Sequence, residues 1–253
     1  MRAFGIDVGG SGIKGAYVNL ETGDCEGDRH LIPTPTPATP AAVGETIAKL
    51  LDQAEVSAQT PIGVAFPAPL RHGMVRFMAN LDQSWVGANL TEVVRTSAGR
   101  SVVPLNDADA AGYAEVAYGA AKGKGGLVVA TTLGTGIGTA LIHEGKLIPN
   151  TELGHIEIDG VDAETRTSAA ARTREELGWD QWAERLQKYY SALELLLTPD
   201  LFIVGGGVSQ RYEHFLPLLD LQTPIIPAQL RNDAGIVGAA YLARLAQEGK
   251  FHP

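Results

Sequence analysis

The feature that most constrains this chain is a strand–glycine turn–strand unit that occurs twice. Ala3-Phe4-Gly5-Ile6-Asp7-Val8 is a short apolar run ending at Gly9-Gly10-Ser11-Gly12, and Ile13 to Leu20 continues as a second strand. Leu127 to Thr132 repeats the theme through Leu133-Gly134-Thr135-Gly136 into Ile137 to Ile142. Short apolar runs punctuated by glycine read as buried strands joined by tight turns. Each unit opens its own stretch of alternating strands and helices, which predicts the α/β class in a duplicated arrangement.

Between the two units, Leu31-Ile32 ends a third strand, and Pro33 to Pro40 carries four prolines in eight residues. Such a segment is a stiff surface connection. Helical periodicity runs from Ala41 through Ile47, Leu50 and Leu51; Pro61 to Phe66 is a strand, as is Val102 to Leu105, and Ala108 to Tyr118 is helical. Residues 162–197 read as helix broken near Gly178, Leu201 to Val204 as a strand, and Ala234 to Gln247 as a final helix. The expected division is a small N-terminal domain over 1–106 and a larger one over 107–233. The helix at about 234–253 packs back on the first, and a cleft separates the two.

Composition bounds the chemistry. The 253 residues hold 29 Asp and Glu against 20 Lys and Arg, a net charge of −9, which disfavours nucleic acid and anionic membrane as partners. The single cysteine, Cys25, excludes an internal disulfide framework and multi-cysteine zinc sites and suits a reducing cytoplasm. Met1 to Ile6 meets Asp7 before a signal-peptide apolar region can form. The longest uncharged stretch, Gly125 to Ile142, holds five glycines and four threonines and reads as two buried strands around a turn, not a membrane span.

Three glycine turns stand at strand ends. In the first, Asp7-Val8-Gly9-Gly10-Ser11-Gly12-Ile13-Lys14-Gly15, glycines let backbone N–H groups approach a polyanion. There Asp7 can hold Mg²⁺ through water and Lys14 can add a cationic contact. Neither a Gly-Lys-Ser/Thr phosphate loop nor a dinucleotide fingerprint is present, so an ordinary hairpin stays open as the plainer reading. The second carries Thr131, Thr132, Gly134, Thr135, Gly136 and Gly138; the third is Gly205-Gly206-Gly207 ahead of a helix at Ser209.

Asn106-Asp107-Ala108-Asp109 places polar groups where a strand becomes a helix. Either Asn106 or Asp107 can simply cap the helix; the chemical reading makes Asp107 a general base on an attacking hydroxyl, Asn106 the residue that orients that hydroxyl, and Asp109 a helix N-terminal charge. Glu152 and His155, three apart, can serve a polyol with a bidentate acceptor and a mixed donor/acceptor; a structural histidine is the alternative. Asn80 follows a strand and can face the same cleft.

These segments, in this order, resemble the ROK sugar kinases of the actin/hexokinase/Hsp70 superfamily. Asp7 to Gly15 is similar to their first phosphate motif, Leu133 to Gly138 to the second, and Asn106-Asp107-Ala108 to the catalytic segment. Glu152-Leu153-Gly154-His155 is similar to the sugar motif, and Ile203 to Val208 to the adenosine-side motif. The Cys-rich zinc loop that follows the sugar motif in the family is missing, as in the branch that phosphorylates glucose from polyphosphate. The resemblance implies two ribonuclease-H-like α/β domains of the actin-like ATPase fold and phosphoryl transfer to the 6-hydroxyl of glucose. It also implies Mg²⁺, no zinc, and a homodimer. Asp107 is then the base. Asn80, Asn106, Asp107, Glu152, His155 and, beyond the lost zinc loop, Glu164 hold the sugar. Asp7, Gly9, Gly10, Ser11, Gly12, Lys14, Thr132, Gly134, Thr135, Gly136, Gly205, Gly206 and Gly207 hold phosphates or nucleotide, with Asp7 at the metal.

The donor is polyphosphate, ATP or both. Lys122, Lys124, Arg166, Arg172, Arg174, Lys188, Arg211 and Arg231 offer a cationic track for a polyphosphate chain, or are simply solvated charges. Three other readings compete. They are a kinase for another hexose or an N-acetylated amino sugar, a sugar-sensing repressor, which needs an added helix-turn-helix, and a phosphohydrolase, against which the Glu152/His155 pair argues.

Overall fold

Both repeated units fold as β-hairpins that seed sheets of the same design. The computed structural model describes residues 1–251. In it β1 (Arg2–Val8) pairs antiparallel with β2 (Gly12–Asn19), and β2 with β3 (Cys25–Pro33). Helix α1 (Pro40–Gln53) follows, with Thr39 accepting from the Ala42 N–H and Pro40 in the first turn, where its missing N–H costs nothing. The helix therefore starts one residue before the periodicity suggested. Strand β4 (Ile62–Phe66) comes next, then a small hairpin of β5 (Leu70–Arg71) and β6 (Met74–Val75). Helix α2 (Leu90–Ala98) is capped by Asn89 and closed by left-handed Gly99. Strand β7 (Val103–Asn106) runs straight into α3 (Asp107–Ala117).

The first sheet has the order β3-β2-β1-β4-β7, with β4 and β7 parallel to β1. All five residues of β4 are buried, as parallel strands covered on both faces require. One face packs Phe4, Ile6, Ile47, Leu50, Val64, Phe66 and Trp85 into a core.

The second sheet repeats the plan. β8 (Leu127–Leu133), β9 (Ile137–His143) and β10 (Lys146–Ile148) form the antiparallel meander. A small hairpin of β11 (Glu157–Ile158) and β12 (Val161–Asp162) leads to α4 (Ala163–Thr167), α5 (Ala169–Arg174) and the long α6 (Trp179–Leu197). The last two start at Ser168 and Gly178 caps, so the expected break at Gly178 is real. β13 (Leu201–Gly205) and β14 (Ile225–Pro227) complete the order β10-β9-β8-β13-β14, with β13 parallel to both neighbours. Trp182, Leu186, Tyr189, Tyr190, Phe202 and Val204 are its core.

Helix α7 (Ala234–Gln247) lies on the first sheet at backbone contact. A Cβ on Gly5 or Gly63 would come within 1.9 Å of the Ile236 and Ala239 carbonyl oxygens, and one on Gly238 within 1.8 Å of the Ala110 carbonyl. Only glycine permits that approach. The chain accordingly separates into one unit of Met1–Ala114 with the residues from Asp233 onward, and another of Glu115–Asn232. The expectation put the division at 106/107 and made the N-terminal domain the smaller. The structure places it at 114/115 and gives the first unit more of the chain, because the start of α3 packs on α7. The last two residues of the expected 234–253 segment lie outside the described residues. Among the described residues, no helix is long and apolar enough to cross a membrane.

Candidate active site

Parallel strands in α/β sheets present ligand groups at their carboxyl ends, and the glycine turns of both units, with Asp7, Asn106 and Asp107, stand at such ends. In the first unit, register places Asp7 beside Ala65 of β4, and Phe66 beside Asn106 of β7. The carboxyl ends of β1 and β7 thus bring Asp7 and Asn106-Asp107 to one sheet edge. The first glycine turn closes with the Gly9 N–H on the Gly12 carbonyl, 3.0 Å. None of its glycines has positive φ; Gly10 is open, with only the Asn80 carbonyl 3.9 Å from where a Cβ would stand. That places exposed Asn80 against the turn.

Thr34 braces the same turn: its hydroxyl donates to the Gly9 carbonyl at 2.5 Å and its N–H to Ser11 at 3.3 Å. Farther along, Ala38 accepts the Trp85 indole N–H at 2.9 Å. The proline segment is therefore a fastening as well as a connection.

Asp7 lies half-buried with Lys14 Nζ 3.9 Å from its carboxylate, and a Cβ on Gly235 in the first turn of α7 would stand 3.2 Å from its Cγ. Burial pushes the Asp7 carboxyl above the ordinary range; Lys14 pulls it partly back. Such a carboxylate gains from a cation. Mg²⁺ characteristically takes one or two carboxylates and completes its shell with water and substrate phosphates. Asp7 fits that mode, and among the described residues no cluster of three or more His, Cys, Asp or Glu competes as a metal site.

Asn106 is buried, and its Oδ1 accepts the N–H groups of Ala108 (2.9 Å) and Asp109 (3.1 Å). It is the N-cap of α3, one of the two roles open to it. Asp107 Oδ1 accepts the Ala108 N–H at 2.8 Å, which orients the carboxylate at the positive end of the helix. Asp109 stands in the first turn as expected but is buried at 2% exposure, not a surface charge.

In the second unit two glycine turns adjoin. Gly205 pairs with Thr132, and Gly206, at φ 82°, would drive a Cβ to 2.3 Å from the Leu133 carbonyl. Two expectations fail here. Thr131 does not offer its hydroxyl to the turn: it is buried, 2.7 Å from the Tyr190 hydroxyl and 3.3 Å from the Ile203 carbonyl. The helix after Gly205-Gly206-Gly207 starts at Gly207, not Ser209, and is a kinked 3₁₀ segment, Gly207–His214. The turn is instead closed by the Ser209 hydroxyl on the Gly206 carbonyl, 2.8 Å.

The second turn holds Gly134 and exposed Thr135 and is braced by Glu164. Glu164 Oε2 accepts the Ile137 N–H at 2.8 Å and fills the space a Gly136 side chain would take. Glu152 precedes a short 3₁₀ turn, Leu153–His155, that ends at His155, and Glu164 acts electrostatically on both, so three of the six sugar candidates are grouped in this unit. Loss of surrounding water pushes the Glu152 carboxyl up, against the pull of His155. The His155 imidazole is pushed up chiefly by a hydrogen bond to Asp162, Nδ1 to Oδ2, 2.8 Å.

Sequence reasoning did not single out Asp162. Its signal was present: Ile158-Asp159-Gly160-Val161 is a two-residue hairpin with both turn residues at positive φ, and the β11–β12 pairing returns the chain to His155.

The cationic track is less uniform than its sequence. Arg174 and Lys188 already pair with Glu175 and Asp159, and the Arg172 guanidinium stacks on Trp179 at 3.6 Å.

The family model described as ROK family matches residues 3–176. The chain is 49% identical over 240 residues to the polyphosphate glucokinase of Mycobacterium tuberculosis, covering 94% of this chain and 90% of that one. Its structure is similar to that of an inorganic polyphosphate/ATP-glucomannokinase from Arthrobacter. The TM-score is 0.92 at 50% identity, over 97% of this chain and 99% of that one. A ROK family glucokinase from Streptomyces griseus, solved with glucose and AMPPNP, matches with a TM-score of 0.82 at 25% identity, over 96% and 99% of the two chains. The fold is the α/β fold of the actin-like ATPases, and the chain belongs to the ROK family.

Proposed function

We propose that this protein transfers a phosphoryl group from inorganic polyphosphate or ATP to the 6-hydroxyl of glucose. The observation that carries the reading is the carboxyl edge of the first sheet. A carboxylate held at a helix start, Asp107, shares that edge with a carboxylate and an open glycine turn, Asp7 and Gly9–Gly12. The similarity to polyphosphate glucokinase and to a polyphosphate/ATP-glucomannokinase supports the acceptor and the donors.

In this reaction Asp107 takes the proton of the sugar hydroxyl as its oxygen bonds to the terminal phosphorus. The bond from that phosphorus to the bridging oxygen breaks, and the shortened polyphosphate or ADP leaves with the electron pair. Asn106 keeps Asp107 in place by capping α3. The turns at Gly9-Gly10-Ser11-Gly12, with Lys14, and at Thr132-Gly134-Thr135-Gly136 hold donor phosphates through N–H groups other than those of Gly9 and Gly134, which close the turns, and Gly205-Gly206-Gly207 serves the nucleotide when ATP is used. Asn80, Glu152, His155 and Glu164 bind the sugar, Glu152 and Glu164 as acceptors. Asp7 would hold Mg²⁺, which when bound would supply charge neutralisation at the phosphates. A homodimer in the cytoplasm completes the proposal.

The test is a matrix of donors (polyphosphate, ATP) against sugars (glucose, mannose, N-acetylated amino sugars), with and without Mg²⁺. Glucose 6-phosphate from at least one donor is the expected result. No product from either donor, or donor cleavage at full rate without sugar, overturns it. A second reading, a kinase for another hexose, draws on the glucomannokinase neighbour, and the same matrix decides it.

A further inference from the structure

The imidazole of His155 is held from one side by a residue that is itself clamped. Asp162 Oδ2 lies 2.8 Å from His155 Nδ1, while Oδ1 accepts the Glu164 N–H at 2.9 Å and caps α4. The Asp162 carbonyl also accepts the Thr165 hydroxyl at 2.7 Å. The carboxylate cannot turn to follow the ring without uncapping the helix, so the ring follows the carboxylate. Both side chains keep over a third of their surface exposed, 40% and 37%, so the contact is worth little to stability. Its value lies in orientation.

We propose that Asp162 is a positioning residue for His155, holding the imidazole so that Nδ1 is the donor to the carboxylate and Nε2 is the atom presented to a sugar hydroxyl. The inference rests on the sugar-binding role given to His155 above.

An ionised carboxylate has no proton to give, so Nδ1 must carry one. The neutral ring then shows the sugar a bare Nε2 acceptor, and the charged ring shows an Nε2–H donor; the opposite neutral tautomer is excluded. Three carboxylates act on the ring: Asp162 at the end of β12 by direct contact, and Glu152 ahead of the 3₁₀ turn and Glu164 in α4 through their charge. All favour the charged form, and only partial desolvation opposes it. The β11–β12 hairpin is the device that carries Asp162 back to a histidine seven residues earlier.

Asp162→Asn in the full chain is the decisive variant. Asparagine keeps the cap through Oδ1 but offers an N–H₂ to Nδ1, which reverses the preferred tautomer. Nitrogen-15 resonances of His155, recorded without sugar, should move from Nδ1–H to Nε2–H, and its titration should shift to lower pH. The glucose KM should rise about tenfold with kcat changed far less. In a His155→Ala background, Asp162→Asn should add less than about twofold, because a positioning residue has nothing left to position. Asp162→Ser, which also caps, repeats the measurement if the asparagine variant folds poorly.

The proposal is overturned if the tautomer and titration of His155 do not change in a folded variant. It is equally overturned if glucose KM stays within about twofold of wild type, or if the loss persists undiminished without His155. A wild-type chain inactive on every sugar would instead sink the functional reading, while the resonance measurement would still report whether Asp162 sets the ring.

Discussion

The two units run the same strand program and equip it differently. Both sheets place a three-strand meander beside two parallel strands, and both put glycine turns at the carboxyl ends. In the first unit the turn is left open and is fastened from behind by Thr34, while the fifth strand ends in a helix-capping Asn106 and the carboxylate Asp107. In the second the turn is filled from the side by Glu164 and backed by Gly206, and the polar cluster sits on the 3₁₀ turn and hairpin that follow the meander. A duplicated scaffold thus diverges in what decorates the strand edge: the proton-accepting carboxylate of the proposal belongs to the first unit, and most of its sugar-binding residues, Glu152, His155 and Glu164, belong to the second.

The sharpest way to break that division is Asp107→Ala. Turnover should fall by about 10²- to 10⁴-fold while glucose binding measured at equilibrium survives. Near-normal kcat would move the base elsewhere.

Next in size is a test of scaffold rather than chemistry. Glu115, 2% exposed at the end of α3, accepts the N–H groups of Ala120 (2.8 Å), Gln229 (3.1 Å) and Leu230 (2.7 Å). Glu115→Ala strands those donors and should cost about 3 kcal/mol in denaturant unfolding. A loss below about 1 kcal/mol would mean that water replaces the carboxylate.

Glu152→Ala should raise the glucose KM about tenfold and leave kcat nearly alone, as loss of a charge-assisted hydrogen bond predicts. If it lowers kcat as steeply as Asp107→Ala, the division between units fails.

The smallest effect is in pH. The His155 ring has a raised pKa in the folded state, chiefly through Asp162. Its contribution to stability is full below the unfolded histidine value near 6.5 and is lost as pH rises through the higher folded value. Glu152, raised by desolvation, works in the same sense at its own lower range. Thermal unfolding followed upward from the unfolded histidine value near 6.5 should decline slightly with rising pH. His155→Gln should flatten the upper part of that decline, and an unchanged profile would show that the ring contributes nothing.

Local patterning made much of this protein legible in advance. Apolar runs with glycine at their ends defined both hairpins, because strand formation and tight turning are properties of neighbouring residues. Asn106-Asp107 stood out because a strand end and a helix start coincide there, and Glu152 and His155 because a spacing of three places them on one short turn. The start of the 3₁₀ segment after Gly206 was misread because that turn packs on Leu133, a residue far away in sequence.

The chain by itself therefore determined the two strand–turn–strand units, the order of polar segments and the family they belong to. The hairpins rest on contacts between residues a few positions apart, and the family on the residues and order of the segments themselves. Tertiary structure alone decided which polar groups are spent inside the fold and which remain for a ligand. Thr131 is consumed by Tyr190 and Glu115 by the Gln229 and Leu230 N–H groups, because folding brings distant segments together and buried polar atoms must find partners where the loops land.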